Sequence, residues 1–205
     1  MKYKIVLASQ SPRRKQLLEQ IGFEFEICPS NKEEIITSTI PEKVCVELSE
    51  QKALDVAASI KGFIGENPKI ATPSDLLIIG ADTIVAVDGE ILGKPIDEED
   101  AYRMLCKLSG NTHCVYTGVT FVFVSKDGRV GKHSFFEATQ VTFYDVKDEY
   151  IKEYIESGEP MDKAGSYGIQ GKFARHVKCI SGDYYNIVGL PVGRIHHELE
   201  ELGVL

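Results

Sequence analysis

Leu76 to Pro95 reads "LLIIGADTIVAVDGEILGKP". The opening run LLII is apolar throughout, as expected for a strand buried on both faces. Gly80 interrupts it, a second apolar run follows, and Asp88-Gly89 then precedes the short return EIL. Asp-Gly between apolar runs is a strong hairpin signal, because a two-residue type I′ turn needs positive φ at both central positions. The prediction is strand, break, strand, turn, strand. Asp82 follows the first strand and a Gly-Ala step, a place where strand ends present chemistry to a cleft, although Asp is also a common turn residue. Lys94 in LGKP returns on the partner strand, which brings a lysine toward the Asp82 carboxylate at one mouth of the sheet.

Upstream, YKIVLA reads as a buried strand leading into a helix. Ser11 is the expected N-cap, Pro12 suits the first helical position, Leu17, Leu18 and Ile21 recur at helical spacing, and Gly22 fits the C-terminal cap. FEFEIC alternates as a half-buried strand, and Pro41 to about Ile60 carries Val44, Leu48 and Leu54 at helical period. Downstream, Asp97 caps a helix ending near Gly110. HCVYTGVTFVFV and SFFEATQVTFYDV are long alternating strands joined by SKDG and read as antiparallel. A helix over VKDEYIKEYIESGEP, a glycine-rich loop DKAGSYGIQGK, a strand FARHVKCI and a closing helix PVGRIHHELEEL complete the chain. Strands and helices mix without strict βαβ order, which predicts an α/β (mixed α+β) fold around a mixed sheet. Glycines and prolines are scattered and no linker or repeat divides the 205 residues, so 1–205 is expected to be one domain.

A net charge of −8 opposes a nonspecific nucleic-acid surface, which needs a basic face to displace counterions. A small anion at a local basic pocket fits that balance. The N-terminal apolar run is too short for a signal peptide, and no segment approaches the roughly 18 apolar residues of a membrane helix, so a cytoplasmic location is expected. The five cysteines are odd in number, lack C-x-x-C spacing and mostly sit among apolar residues, which argues against disulfides and structural zinc. His196 and His197 are adjacent on a predicted helix and project about 100° apart, unlike a chelating i, i+4 pair. The phosphate cradle G-x-x-x-x-G-K-[ST], the dinucleotide motif G-x-G-x-x-G and the G-x-S-x-G elbow are all missing.

Two stretches remain that structure alone does not explain. SQSPRR places Arg13 and Arg14 at a helix start, where cations oppose the helix dipole unless an anion binds there. A solvated helix face is the plain alternative. SGEPMDKAGSYGIQG, from Ser157 to Gly171, is a long polar loop of a kind uncommon in compact domains without a function, and it supplies Asp162, Lys163 and Gln170.

With ASQSPRR, GADTIVAVDGEILGKP, LSGNTHCVYTGV, SGEPMDKAGSYGIQG and GDYYNIVGLP in that order, the chain resembles the Maf family of nucleoside triphosphate pyrophosphatases over nearly its whole length. The resemblance implies a two-lobed fold with a deep central cleft, similar to inosine-triphosphate pyrophosphatases. It also implies cleavage of a nucleoside triphosphate to the monophosphate and pyrophosphate, a divalent cation, Mg2+ or Mn2+, and a homodimer. On this resemblance Ser9, Arg13 and Arg14 form the triphosphate end of the site. Lys52, Lys94 and Lys163 add positive charge around the cleft, and Glu34 faces it. Asp82 matches the family's proton acceptor; its chemistry equally suits a metal ligand, a role open to Glu34 as well. The stretch Gly62 to Asp75 is longer than the family's usual link, and GKFARHVK lacks a small glycine-rich insert.

Arg13, Thr83 and Gln170 match the family positions that track base specificity, and GADT with GIQG is similar to the branch that cleaves dTTP and UTP. A glutamine amide complements the N3–H and adjacent carbonyl of thymine and uracil. Rotated, the same amide suits cytosine, so selectivity needs neighbours that fix its orientation; Thr83 and the backbone of 165–171 are the candidates. The family has also been associated with septum inhibition, which makes a nucleotide-sensing binding module in cell-division control the alternative function. Asp82 beside Lys94 favours an enzyme, because a sensor needs no base at the scissile phosphate. A purely structural protein leaves Arg13, Arg14 and the 157–171 loop without a purpose.

Overall fold

The computed structural model describes residues 3–63 and 75–205. Seven strands among the described residues form one mixed sheet: β1 (Lys4–Leu7), β2 (Phe25–Ile27), β3 (Leu76–Val87), β4 (Glu90–Leu92), β5 (Thr112–Val124), β6 (Val130–Phe143) and β7 (Val177–Ser181). Their order is β2-β1-β3-β5-β6-β7, with β4 also paired to β3. The helices are α1 (Pro12–Gln20), α2 (Pro41–Phe63), α3 (Glu98–Leu108), α4 (Asp148–Glu156), α5 (Tyr184–Val188) and α6 (Val192–Glu201). The mixed α/β class is as the sequence predicts, and no helix among the described residues is long and apolar enough to cross a membrane.

The predicted break at Gly80 does not occur. β3 runs unbroken, and it pairs antiparallel with β5 from Leu76↔Val124 to Ala86↔Cys114. Gly80 is needed for helix packing instead of a turn. A Cβ there would lie 2.3 Å from the Ser49 carbonyl oxygen and 2.8 Å from Ala53 Cβ. Gly118 on β5, opposite Asp82, repeats the device: its Cβ would lie 2.2 Å from the Cys45 carbonyl oxygen. Two glycines on adjacent strands therefore let the α2 backbone settle directly onto the sheet.

Pleating sends even-numbered residues of β3 toward α2 and odd-numbered ones to the other face. Ile78 packs with Ala53, Val56 and Ile60, and Ile84 with Val44 and Leu48. Leu77, Ile79 and Val85 join the larger core with Leu105, Phe121, Phe143 and Ile195 under α3, α4 and α6.

One edge of β3 decides where the cleft lies. β1 runs parallel to β3 as far as Leu7↔Ile79, and the Ala8 N–H donates to the Ile79 carbonyl at 2.8 Å. β4 approaches the same strand antiparallel and ends at Leu92↔Val85. The carboxyl ends of both strands thus point toward each other, and no strand among the described residues covers Gly80–Ile84 on that edge. A crevice at the point where neighbouring strands diverge is the usual place for a ligand in α/β sheets.

Other sequence readings need local revision. β2 is a three-residue edge strand with its side chains largely in solvent. In FARHVKCI the residues Lys172–His176 form a 3-10 turn, and the strand starts only at Val177. The glycine-rich loop is built on 3-10 turns at Glu159–Asp162 and Ala164–Ser166. Of the polar stretch Gly62–Asp75, residues 62 and 63 finish α2, and 64–74 lie outside the described residues. All five cysteines are free, but Cys106 and Cys179 are exposed, so only Cys45 behaves as a fully buried small hydrophobe. His196 and His197 are exposed on α6, in keeping with surface residues.

Candidate active site

The β1–α1 turn supplies the first wall. Ser11 caps α1, its hydroxyl accepting the Arg14 N–H at 3.4 Å, and no acidic residue occupies the first turn. A cap of this kind contributes about 1 kcal/mol. Ser9 is buried, and its Oγ accepts from the Ser11 N–H and from Arg14 Nη1, both at 3.2 Å. Arg14 is held by three acceptors, two of them from distant parts of the chain. Besides Ser9 they are the Gly189 carbonyl, reached by Nε at 2.8 Å, and Thr83 Oγ1, reached by Nη2 at 3.0 Å. Burial lowers the Arg14 pKa, against the opposing pull of the Asp82 charge. Arg13 is freer, its one polar side-chain contact among the described residues being with Asp162 at 3.5 Å.

The second wall comes from α2. The Lys52 ammonium contacts Asp82 Oδ1 and lies 3.0 Å from Glu34 Oε1, so it sits between two carboxylates. Asp82 Oδ2 has no protein partner among the described residues. Glu34 belongs to an irregular strap, residues 28–40, pinned along α2. Ile35 N–H donates to Gln51 Oε1 at 2.9 Å, Gln51 Nε2 donates back to the Ile35 carbonyl at 2.5 Å, and Thr37 binds Glu47 through its N–H and hydroxyl. The strap holds Glu34 beside Lys52 because Gln51 and Lys52 are consecutive on α2. The position between the two carboxylates is filled by the Lys52 ammonium, and among the described residues no group of three or more Asp, Glu, His or Cys gathers to hold a metal; carboxylate oxygens are the donor type that Mg2+ or Mn2+ takes.

The glycine-rich segment closes the third side. The Gly165 N–H donates to the Gly93 carbonyl at 3.0 Å, joining this segment to the end of β4 next to Lys94. Gly165 has φ +67°, and a Cβ there would meet Val85 at 2.9 Å. Glu159 anchors the rest: it accepts from the Tyr154 hydroxyl at 3.0 Å and from the Lys172 N–H at 3.3 Å. The chain wraps so closely that a Cβ on Gly171 would lie 1.6 Å from Glu159 Oε1. Lys163 Nζ donates to the Glu159 carbonyl at 2.5 Å and to Asp162 at 2.7 Å. Burial opposes ionisation of Asp162, but Lys163 and Arg13 outweigh it and the net pKa shift is downward.

Ser9, Arg13, Arg14, Glu34, Lys52, Asp82, Thr83, Lys94, Lys163 and Gln170 all line one cleft of about 950 Å³. One expected pairing is corrected: the lysine that meets Asp82 is Lys52 from α2, whereas Lys94 is exposed beyond β4 and has no ion pair among the described residues. Gln170 is also exposed, with no hydrogen bond from the described residues. Glu159, Tyr167 and the Ile187–Gly189 segment line the cleft without having been singled out from sequence. The signal for Glu159 was its place beside Gly158 and Pro160 in a loop already marked as unusual.

The family model for "Maf-like protein" matches residues 4–202. The chain belongs to the Maf-like family. A protein named dTTP/UTP pyrophosphatase from Agathobacter rectalis is 60% identical over 200 residues, covering 98% of this chain and 98% of its own. Proteins of the same name from Lachnoclostridium phytofermentans and Carboxydothermus hydrogenoformans are 49% and 50% identical, over 98% of this chain and 96% and 99% of theirs. Among solved structures, a nucleoside-triphosphatase / dITP/XTP pyrophosphatase from Mycobacterium abscessus aligns with 70% of this Maf-like chain and 75% of its own. Its identity is 14% and its TM-score 0.35, too low to bear on the shape of this cleft.

Proposed function

We propose that this Maf-like chain hydrolyses dTTP and UTP to the nucleoside monophosphate and pyrophosphate. The observation that carries the reading is the meeting of Asp82, Lys52 and Glu34 at the uncovered middle of β3, in the cleft that Arg13 and Arg14 also line. The similarity to proteins named for that activity supports it.

A triphosphate needs several cations that can turn toward it. Lys94 has no competing carboxylate among the described residues, and Arg13 and Lys163 share a single exposed one, Asp162. Lys52 holds one oxygen of Asp82, so the second, Oδ2, is the one available to orient a water and accept its proton. The water oxygen bonds to the α-phosphorus as the bond from that phosphorus to the bridging oxygen breaks, and pyrophosphate leaves with the electron pair. With Asp82 committed to Lys52 and to the water, Glu34 would be the residue to hold a divalent cation, which when bound neutralises charge on the phosphate oxygens. Arg14, tied to three acceptors, keeps the turn and β3 in register.

The test is incubation with a nucleotide panel and Mg2+ or Mn2+ in ¹⁸O-labelled water. Pyrophosphate as first product, with the label in the monophosphate, is expected. Orthophosphate as first product overturns the reading, and saturable binding without turnover replaces it with the sensor alternative.

A further inference from the structure

Gln170 has no partner among the described residues to fix its amide, so a cleft-lining group whose hydrogen-bonding sense is locked is better suited to separate uracil from cytosine. Thr83 is such a group. Its Oγ1 lies 3.0 Å from Arg14 Nη2 and 2.9 Å from Thr117 Oγ1. Thr117 Oγ1 in turn lies 2.9 Å from the Asn186 carbonyl oxygen, which also accepts the Gly189 N–H at 3.0 Å.

The direction of this chain follows from its two ends. A guanidinium can only donate and a carbonyl can only accept. Thr117 must therefore give its single proton to Asn186, which leaves Thr117 Oγ1 an acceptor toward Thr83. Thr83 gives its own single proton to Thr117 and receives one from Arg14. A hydroxyl has one donor and two lone pairs. Thr83 thus has no proton left and one lone pair to offer the cleft it lines.

The surroundings hold this arrangement in place. Thr117 and Asn186 are fully buried, and the Asn186 amide donates to the Val115 carbonyl and to Thr139 Oγ1, both at 2.9 Å. Thr139 passes its proton to the Asp183 carbonyl at 2.9 Å, so α5 is fastened at both ends. Arg14 Nε closes the ring on Gly189. Gly189 also keeps the hydroxyl uncovered, since a Cβ there would lie 3.3 Å from Thr83 Oγ1.

We infer that Thr117 and Asn186 are positioning residues for base choice: they lock Thr83 as a pure acceptor, which pairs with the N3–H of uracil or thymine and opposes the bare N3 of cytosine. This rests on the pyrimidine triphosphate reading of the site. A wrong base then sets one lone pair against another in a partly dry site, a mismatch worth about tenfold or more in selectivity.

The experiment is kcat/KM for UTP, CTP and dUTP with the wild-type chain and with Thr117→Val, Thr117→Ala and Thr117→Ser. Valine keeps the side-chain volume and removes the acceptor, which frees the Thr83 hydroxyl to turn its proton toward the cleft. The UTP to CTP ratio is expected to fall about tenfold, while Thr117→Ser keeps the wild-type ratio. Thr117→Ala gives the same readout without a methyl facing the Asn186 carbonyl, should the valine variant fail to fold. A folded variant lacking the hydroxyl with an unchanged UTP to CTP ratio overturns the inference. So does a change in the UTP to dUTP ratio alone, which would place the Thr83 acceptor on the sugar. A wild-type chain with no preference for UTP over CTP defeats the pyrimidine reading beneath it and is told apart by that first measurement.

Discussion

Asp82 and Thr83 are consecutive residues of one strand, and the pleat gives them opposite surroundings. Asp82 faces α2 and is partnered by ions, Lys52 and, through it, Glu34. Thr83 faces the other side and is partnered by the Arg14 guanidinium, a hydroxyl and, beyond that, a carbonyl. The difference is one of directionality. Ion pairs depend mainly on distance and can be exchanged when a polyanion arrives, whereas a buried hydroxyl has one proton and one place to put it. On the proposed reading, proton transfer at Asp82 and base discrimination at Thr83 are separated by a single peptide unit, and substitutions on one face should leave the property of the other face alone.

The largest effect is expected at Asp82. Asp82→Asn keeps the shape and removes the proton acceptor, so kcat should fall by about 10²-fold or more with the fold intact. The UTP to CTP ratio measured on the residual activity should stay at its wild-type value. A variant with near-normal turnover would remove Asp82 from the mechanism, and one with an altered base preference would break the division between the faces.

Lys52→Ala comes next. It leaves Asp82 and Glu34 facing each other without the cation between them, and kcat/KM for either pyrimidine should drop by about tenfold to a hundredfold. Combined with Asp82→Asn the losses should add to less than their sum, because the two side chains act on the same water and phosphate. Full additivity in the double variant would show that Lys52 serves the substrate independently of Asp82.

How much of this was readable in advance depended on whether the cause lay nearby in the chain. Ser11, Pro12 and the apolar spacing of α1 are local signals, and the turn and helix follow them. Ser9, Arg13, Arg14, Asp82, Thr83, Lys94, Lys163 and Gln170 stand in the ordered motifs, Glu34 and Lys52 follow only from the family resemblance, and all of them line one cleft. Gly80 misled because a lone glycine in an apolar run reads as an interruption, while its reason is the backbone of α2, distant in sequence. For the same reason the sequence points Asp82 to the hairpin's own Lys94, while its partner in the fold is Lys52. α5 spans five residues, too few to show a helical period, and threonines in strands carry no mark that separates Thr117 from any other.

Gly118 offers a smaller and purely structural probe of the ionic face. A Cβ at 2.2 Å from the Cys45 carbonyl has to displace α2, since the obstacle is backbone and cannot rotate away. Gly118→Ala should cost about 1–3 kcal/mol of stability, read as a lowered midpoint in urea. Because α2 carries Lys52, turnover should fall with it. Base preference should not, as Thr83 and Thr117 lie on the opposite face. Unchanged stability would mean that the helix does not rest on this glycine.

The smallest effect belongs to the neutral face. His113 on β5 is buried on the same side as Thr83; its Nε2 is 2.8 Å from the Tyr167 hydroxyl, and its Nδ1 has no partner among the described residues. Burial lowers its pKa from 6.5 to about 4. The unfolded chain therefore binds the proton more readily than the folded one between those values. Stability from this group is complete above pH 6.5 and declines as pH falls toward about 4. Tyr167 lines the cleft, so acidification strains the wall that carries the glycine-rich segment. His113→Gln keeps a hydrogen-bonding group beside Tyr167 without titrating there. Urea unfolding of the wild type should weaken across this range more steeply than that of His113→Gln, even if the variant starts from a lower value at pH 7. Parallel curves for the two proteins would show that His113 makes no contribution to the acid sensitivity of this face.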